Sequence, residues 1–289
     1  MGEKIVTKND NEKWDKIITP KQKKLSLQLK GVWEYRDLIV LFVKRDYVTF
    51  YKQTIFGPLW YLVQPILSTF MYMIVFGGLA HIGTDSIPQS LFYFSGTMVW
   101  TYFSGNLLAA SNVFQNNKGM FGKVFFPRMV VPIASTISLL IKFGIQFVLF
   151  ILIYMYYLIS GVKVGNSWII ILFPLIVLWL SLLSCGLGMI ISAITTKYRD
   201  LAMALDFLLS LVMYATPVVY PLSEVTGKYK FLLYLNPISA PVELFRYCFF
   251  RVCSIPFWSC CVSIGVTILV CILGVIMFNR NERTFVDVI

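Results

Sequence analysis

An all-α integral membrane protein with about six membrane-spanning helices is the fold class that the sequence predicts. Apolar runs of spanning length occur at residues 58–80, 91–113, 129–160, 167–195, 201–220 and 255–278, and each crossing needs about 20 apolar residues for a hydrocarbon core about 30 Å thick. Of the 289 residues, 58% are hydrophobic and 13% charged, where soluble domains carry roughly 45–50% apolar and about 25% charged residues. Basic residues flank the apolar runs instead of forming a domain of their own, so the net charge of +11 does not point to nucleic acid.

Residues 1–29 are charged and aperiodic and read as a flexible cytoplasmic leader, to which no role is assigned. No short apolar core with a small-residue cleavage site precedes the first span, so no signal peptide is expected and the amino terminus stays inside. Residues 30–57 read as an amphipathic interface helix. At 100° per residue Glu34, Asp37, Lys44, Arg45, Thr49 and Lys52 share one arc, and Tyr35, Ile39, Phe42, Val43, Tyr47 and Phe50 oppose it. Gly57 and Pro58 punctuate the entry to the first span.

Residues 58–289 form the transmembrane domain. With the amino terminus inside, 19 Lys and Arg residues fall on the cytoplasmic side and five outside, namely Lys163, Lys228, Lys230, Arg246 and Arg251. That asymmetry predicts a multi-pass protein with both termini cytoplasmic. The run at 129–160 exceeds the need and predicts tilt or extension beyond the bilayer. Ser184, Gly188 and Ser192, spaced four residues apart, predict a close helix packing face.

The segment between spans five and six, Pro221–Ser254, is too apolar for a solvated loop. Pro241 and Glu243 early, with Arg246 and Arg251 later, suit a short helix. The segment reads as two re-entrant half-helices, which persist at depth only when packed on protein or lining a polar cavity. A surface-lying amphipathic loop is the plainer alternative.

Catalytic groups are scarce. Within the spans the ionisable Asp, Glu, Lys, Arg and His residues are Lys142 and Asp206, for which a structural pair or snorkelling is favoured over a proton relay. The six cysteines form no C-x-x-C pair and no histidine lies nearby, so no metal site is expected and any Cys248–Cys253 disulfide is disfavoured. The chain has no G-x-x-x-x-G-K-[ST] phosphate loop, so an ATP-driven process would need a separate ATPase polypeptide. Aromatic residues crowd the first two spans; most belong to lipid belts, and a subset along a lumen would suit sugar rings. The segment Asn116–Lys123 carries Met120 and Phe121 beside Lys118 and Lys123, and reads either as a docking knob for another protein or as positive-inside anchoring.

Five blocks then carry a resemblance: RDLIVLFVKRDYVTFYKQTIFGPLWYLVQP (Arg36–Pro65), FFP (Phe125–Pro127), KYRDL (Lys197–Leu201), TPVVYP (Thr216–Pro221) and NPISAPVELFR (Asn236–Arg246). Their ordered set, spanning residues 30–289, resembles the type-2 ABC permeases that export polysaccharides, especially lipopolysaccharide O-antigen. The resemblance implies a non-enzymatic permease of the bacterial inner membrane. It would work as a homodimer with two copies of an ATP-binding subunit that holds ATP and magnesium, this chain binding no cofactor. Glu34, Arg36, Asp37, Asn116, Asn117, Lys118, Met120, Phe121 and Lys123 would receive the ATPase motion. Trp60, Tyr61, Phe70, Tyr72, Phe76, Tyr214 and Tyr220 would line a channel between first and fifth spans. Thr216, Pro217, Pro221, Asn236, Pro237, Glu243 and Arg246 would close its outer end. The implied cargo is a polyprenyl-pyrophosphate-linked polysaccharide, and Arg36, Lys44, Arg45 and Lys52 stand where its pyrophosphate would wait. Two rival classes fit the sequence less well. A membrane-embedded glycan transferase or polymerase would need more loop carboxylates than Asp85, Glu224 and Glu243, and an ion-coupled secondary transporter would favour an internal repeat, which the halves lack.

Overall fold

A computed structural model describes residues 29–52, 57–121, 123–124, 126–162, 168–195, 200–252 and 254–286. The leader before residue 29, Lys197–Arg199 of the KYRDL block, Phe125 and Cys253 lie outside the described residues.

The described residues are helical without strands. Chain order runs α1 (Leu29–Glu34), α2 (Arg36–Tyr51), α3 (Trp60–Tyr72), a π-helical turn (Met73–Leu79), α4 (Gln89–Ser111), α5 (Val113–Asn116), α6 (Lys118–Phe121) and α7 (Val130–Ile159). It continues with α8 (Phe173–Thr195), α9 (Asp200–Tyr214), α10 (Lys228–Leu235), α11 (Ser239–Phe250) and α12 (Phe257–Val286).

Among the described residues, four stretches are long and apolar enough to cross a membrane: Trp60–Leu79, Val130–Ile159, Ile169–Thr195 and Phe257–Arg280. They match the predicted first, third, fourth and sixth spans within a few residues. The second and fifth predicted spans are α4 and α9. Helix α4 has 23 residues but a polar and aromatic surface, because it is the central helix and is buried along most of its length against α3, α7, α8, α9 and α11. Helix α9 stops at Tyr214 instead of running to Tyr220. Pro217 cannot donate to a continuing helix and disfavours helical geometry in the residue before it. Helix α12 runs eight residues past the predicted Phe278.

Interhelical attachment is polar and close-packed, as expected where lipid supplies no hydrophobic drive between helices. Asn106 on α4 donates from Nδ2 to the Ser184 hydroxyl (2.7 Å) and Ser181 carbonyl (3.3 Å) of α8, and its Oδ1 accepts from Thr136 of α7 at 2.8 Å. Tyr102 joins Ser181 at 2.6 Å. The Ser184–Gly188–Ser192 face is the α4 contact: a Cβ on Gly188 would lie 2.5 Å from the Ala110 Cβ and 2.8 Å from the Leu107 carbonyl. Above this polar seam a core of Phe94, Phe147, Phe150, Phe173, Phe245 and Phe249 ties α4, α7 and α11 together, with Phe147 and Phe173 stacked at 4.3 Å.

A proline in α3 shows how the bundle repairs its backbone. Pro65 has no N–H, so the Tyr61 carbonyl four residues earlier loses its helical donor. Gln146 of α7, itself buried, donates Nε2 to that carbonyl at 3.0 Å.

The interface helix is broken at Tyr35 into α1 and α2. Val32 and Phe42 are buried in a second core with Phe114, Phe121, Phe126 and Phe278, and Tyr35, Leu38, Ile39 and Val43 pack on it. The predicted apolar arc is therefore the packed one, except that Tyr47 is exposed; the Phe50 side chain lies outside the described residues. The opposite arc is less polar than expected, because Trp33, Val40, Leu41 and Val48 are exposed among the charges. The two intramembrane charges do not pair: Asp206 is exposed on α9, and Lys142 makes no ion pair with a described carboxylate.

Gly188→Ala is expected to force α4 and α8 apart and to destabilise the bundle by about 1–3 kcal/mol, the usual range for overpacking. Gly144→Ala, where the added Cβ would meet nothing within 4 Å, is the control. Thermal unfolding of both variants in detergent checks this, and equal melting of the two would refute the Gly188 contact.

Candidate functional site

One end of the bundle is closed by the residues singled out between spans five and six. Helix α11 is buried along nearly its whole length against α8 and α4. It ends where Arg251 takes the left-handed conformation (φ 59°). Its Arg246 is 2% exposed and reaches the irregular segment after α9, donating Nη1 to the Pro217 carbonyl (2.6 Å) and Nη2 to the Val218 carbonyl (2.7 Å). Glu243, one turn back, pairs with Nη1 at 3.1 Å and neutralises the guanidinium, which lies 3.8 Å from the centroid of Phe92. The expectation that Glu243 serves the helix N-terminus is corrected: it stands beyond the first turn, and its partner is Arg246. Gly96 makes the clamp possible, because a Cβ there would lie 2.4 Å from the Val218 carbonyl and 2.9 Å from Arg246 Nη2.

Asn236 secures the same segment. Its Nδ2 donates to the Ala215 carbonyl (2.8 Å) and Thr216 hydroxyl (3.0 Å), while Oδ1 accepts from the Ile238 N–H (3.0 Å). Helix α12 holds the α10–α11 turn through Ser263 to the Pro237 carbonyl and Ser259 to the Tyr234 carbonyl, at 2.5 and 2.6 Å. Pro221 is buried beside them. The loop after the π-turn is tied in by Gly83 N–H to Glu224 (2.7 Å) and Ser223 to Asp85 (2.5 Å).

The aromatic set divides. Trp60, Phe70 and Tyr214 are exposed, while Tyr61, Tyr72, Phe76 and Tyr220 are half-buried. Tyr72 packs against Phe76 and Tyr93 and directs its hydroxyl to Met213 at 3.7 Å, so α3 and α9 are neighbours. Tyr220 donates to the Tyr214 carbonyl at 3.0 Å. Beside these contacts, Ile66, Leu67, Phe70 and Met71 of α3 and Ile74 and Val75 of the π-helical turn are exposed.

At the opposite end, α1, α2 and the α5–α6 segment meet through the Phe42, Phe121 and Phe126 cluster. Glu34, Arg36, Asp37, Asn116, Lys118 and Lys123 are exposed there, and Asn117 and Met120 are half-buried. Phe121 is no exposed knob: it is 7% exposed, under the Arg128 guanidinium at 5.1 Å. Of the four cations placed for pyrophosphate, Lys44 and Lys52 are exposed and Arg36 faces Asp37 at 3.9 Å. Arg45 pairs with Asp46 at 2.8 Å and lines a cavity of about 390 Å³ between α2, α3, α4 and α7. Asn116, Asn117, Tyr61 and Lys142 share that wall; Arg36, Lys44 and Lys52 do not.

Residues 37–250 match the ABC-2 type transporter family. The chain belongs to that family. It is 27% identical over 227 residues to the O-antigen export system permease protein RfbA of Myxococcus xanthus, covering 77% of this chain and 84% of the relative. A protein of the same name from Klebsiella pneumoniae is 24% identical over 269 residues, covering 92% and 100%. The polysialic acid transport protein KpsM of Escherichia coli is 24% identical over 193 residues, covering 66% and 72%. The matched family region includes the Arg246 clamp, the Asn236 turn and both ends of the cavity.

Sequence reasoning missed Gly96 at the clamp and the cavity face of Lys142, and it missed Asn106 and Gln146, which tie the helices to one another. Pro65 signalled Gln146 in principle, since a proline inside a span requires a donor from elsewhere. Gly96 and Asn106 lay inside an apolar run with no spacing to mark them.

Glu243→Ala leaves the Arg246 guanidinium buried without its counter-charge, and is expected to lower stability by about 3–5 kcal/mol. Unfolding in mixed detergent micelles measures it. A loss comparable to that of an exposed charge such as Lys228→Ala would show that the pair is not enclosed.

Proposed function

We propose that this chain is the membrane subunit of an ATP-driven exporter that carries a polyprenyl-pyrophosphate-linked polysaccharide across the bacterial inner membrane, with O-antigen as the cargo. The single observation that carries this reading is the family match over residues 37–250 together with relatives named for O-antigen export and polysialic acid transport. Six crossings would put both termini on one side of the membrane, and the Lys and Arg asymmetry favours the cytoplasmic side. The α1–α2 pair and the Asn116–Lys123 segment then face the cytoplasm, and the Arg246 clamp faces the outer leaflet.

Two copies of the chain pair with two copies of an ATP-binding subunit, which carries ATP and magnesium. Glu34, Arg36, Asp37, Asn116, Lys118 and Lys123 form the exposed ring that this subunit contacts. Phe121 and Phe42 beneath them join that ring to α7, so a push on α2 is transmitted through packed aromatic side chains. The open apolar faces of α3 and α9 meet their counterparts in the second copy, with Trp60, Phe70 and Tyr214 turned to the passage. Aromatic faces support the C–H surfaces of sugar rings without fixing any one ring. The Arg246 clamp keeps the outer end shut until α9 and α11 separate. Each loop carboxylate that a transferase would use is engaged in this closure, Glu243 by Arg246, Glu224 by Gly83 and Asp85 by Ser223.

Reconstitution of the chain with its ATP-binding subunit tests the reading. ATP turnover is expected to rise when the lipid-linked glycan is supplied, and the particle to contain two copies of each chain. A single unpaired copy that moves glycan without nucleotide would overturn it. Changing Lys44 and Arg45 to Ala is expected to raise the half-saturating concentration of lipid-linked glycan about tenfold, the loss of one charge-assisted contact; unchanged stimulation would remove both from pyrophosphate recognition.

A further inference from the structure

Lys142 is placed where the membrane makes an unpaired cation costly. It projects from α7 into the 390 Å³ cavity, with its Nζ 5.1 Å from the centroid of the Tyr61 ring. Its side chain is half-buried and lies along the cavity wall. The other charges there cancel. Arg45 donates twice to Asp46 Oδ1, at 3.0 and 2.8 Å, and Ser138 donates to Asp46 Oδ2 at 3.3 Å. No described carboxylate is in ion-pair reach of Lys142, so the described charges at the cavity sum to one positive charge. Charged residues at membrane depth mark binding sites or pathways by default.

Depth and size narrow the ligand. Trp60 and Tyr61 open α3, the position of an interfacial aromatic belt, and Lys142 is level with them. Helix α7 has 30 residues, about 45 Å against a hydrocarbon core of about 30 Å, and Lys142 stands about 18 Å along it from Val130, so that excess, set at this end, leaves Lys142 a few ångströms inside the hydrocarbon boundary and within reach of the headgroups. One water occupies about 30 Å³, so the cavity is far larger than a small anion needs. Helix α2 forms one wall at the interface, and Asn116 adds a polar side chain at the mouth.

We infer that the cavity between α2, α3, α4 and α7 binds the phosphate of a membrane lipid headgroup, with Lys142 as its cation. The site joins the interface helix to the first and third spans through one bound lipid. The inference rests on the transport reading only for whether that lipid is the cargo or a resident phospholipid; the phosphate chemistry is the same for both.

Native mass spectrometry of the full-length chain, released from detergent and titrated with phosphatidylglycerol, polyprenyl pyrophosphate or inorganic pyrophosphate, tests it without nucleotide or the ATP-binding subunit. One lipid adduct per chain is expected. Lys142→Gln should weaken it about tenfold or more, the loss of one charge-assisted contact, and Lys142→Arg should retain it. Displacement of phosphatidylglycerol by polyprenyl pyrophosphate assigns the site to cargo, and its absence assigns it to a resident phospholipid; either supports a lipid-phosphate site. Equal adducts in wild type and Lys142→Gln, or binding of inorganic pyrophosphate with no lipid adduct, would overturn it. Should Lys142→Gln fail to fold, Ser135→Leu fills the cavity without removing a charge, and an undiminished adduct in that variant overturns the site as well. Failure of this inference leaves the transport reading standing, because the test uses neither nucleotide nor the ATP-binding subunit.

Discussion

Every backbone polar group in a lipid-embedded bundle must find its partner inside the protein, and that constraint accounts for the positions of most of the informative side chains here. Where the helices are regular, the backbone satisfies itself. Where proline interrupts them, a side chain from another helix takes over. Gln146 serves the Tyr61 carbonyl released by Pro65. Arg246 serves the Pro217 and Val218 carbonyls, Asn236 the Ala215 carbonyl, and Ser263 the Pro237 carbonyl. These contacts link α3 to α7, the end of α9 to α11, and the α10–α11 turn to α12, so the places where the chain is irregular are the places where its helices are tied together.

Such ties differ in what they permit. An α-helical hydrogen bond cannot be exchanged without unwinding, but a carbonyl held by a side chain is released by a rotamer change or a small helix shift. The Arg246 clamp has this character. Its guanidinium is neutralised within its own helix by Glu243, so the ion pair would travel with α11 and no charge would be left bare when Pro217 and Val218 move away. What an opening would cost is two charge-assisted hydrogen bonds to carbonyls and the contact with Phe92. Gly96 sets the geometry from the other side, since any Cβ there would occupy the path of the Val218 carbonyl.

Legibility in the sequence followed the same physics. Hydropathy located the four spans whose outer surfaces are apolar, and proline and charge located the short helix α11, because those signals belong to the element itself. Helix α4 was legible as a run but not as the centre of the bundle. Its low hydropathy arises from tyrosines, serines and Asn106 that face other helices, and composition cannot say which neighbour satisfies them. The end of α9 was misread because Pro217 acts on the residues before it. The lysines of the Asn116–Lys123 segment suit either a docking knob or positive-inside anchoring, and they hide that the Phe121 ring turns inward to Phe114 and Phe126. Glu243 was read from its distance to Pro241, whereas its role follows from a contact three residues on. Lys142 was visible as an anomaly, and only the walls around it convert the anomaly into a site.

Burial along the chain is inverted relative to a soluble fold, and the inversion bears on what one copy can do. The long helix α4, rich in polar and aromatic groups, is enclosed along most of its length, while α3 and α9 present apolar faces outward; α9 is fastened by little more than Leu205 and Leu209. Helix α9, held by two buried side chains at one flank, with Pro217 beyond its end and a side-chain clamp further on, is weakly anchored in the bundle. Its neighbour α3 is softened by Pro65 and by the π-helical turn at Met73–Leu79. The two adjacent elements with the weakest internal constraints thus lie side by side at the open edge, joined by Tyr72 and Met213. The rigid part, α4 with α7, α8 and α12, stands behind them. A passage between two copies would therefore be walled by the segments that can move, and backed by the ones that cannot.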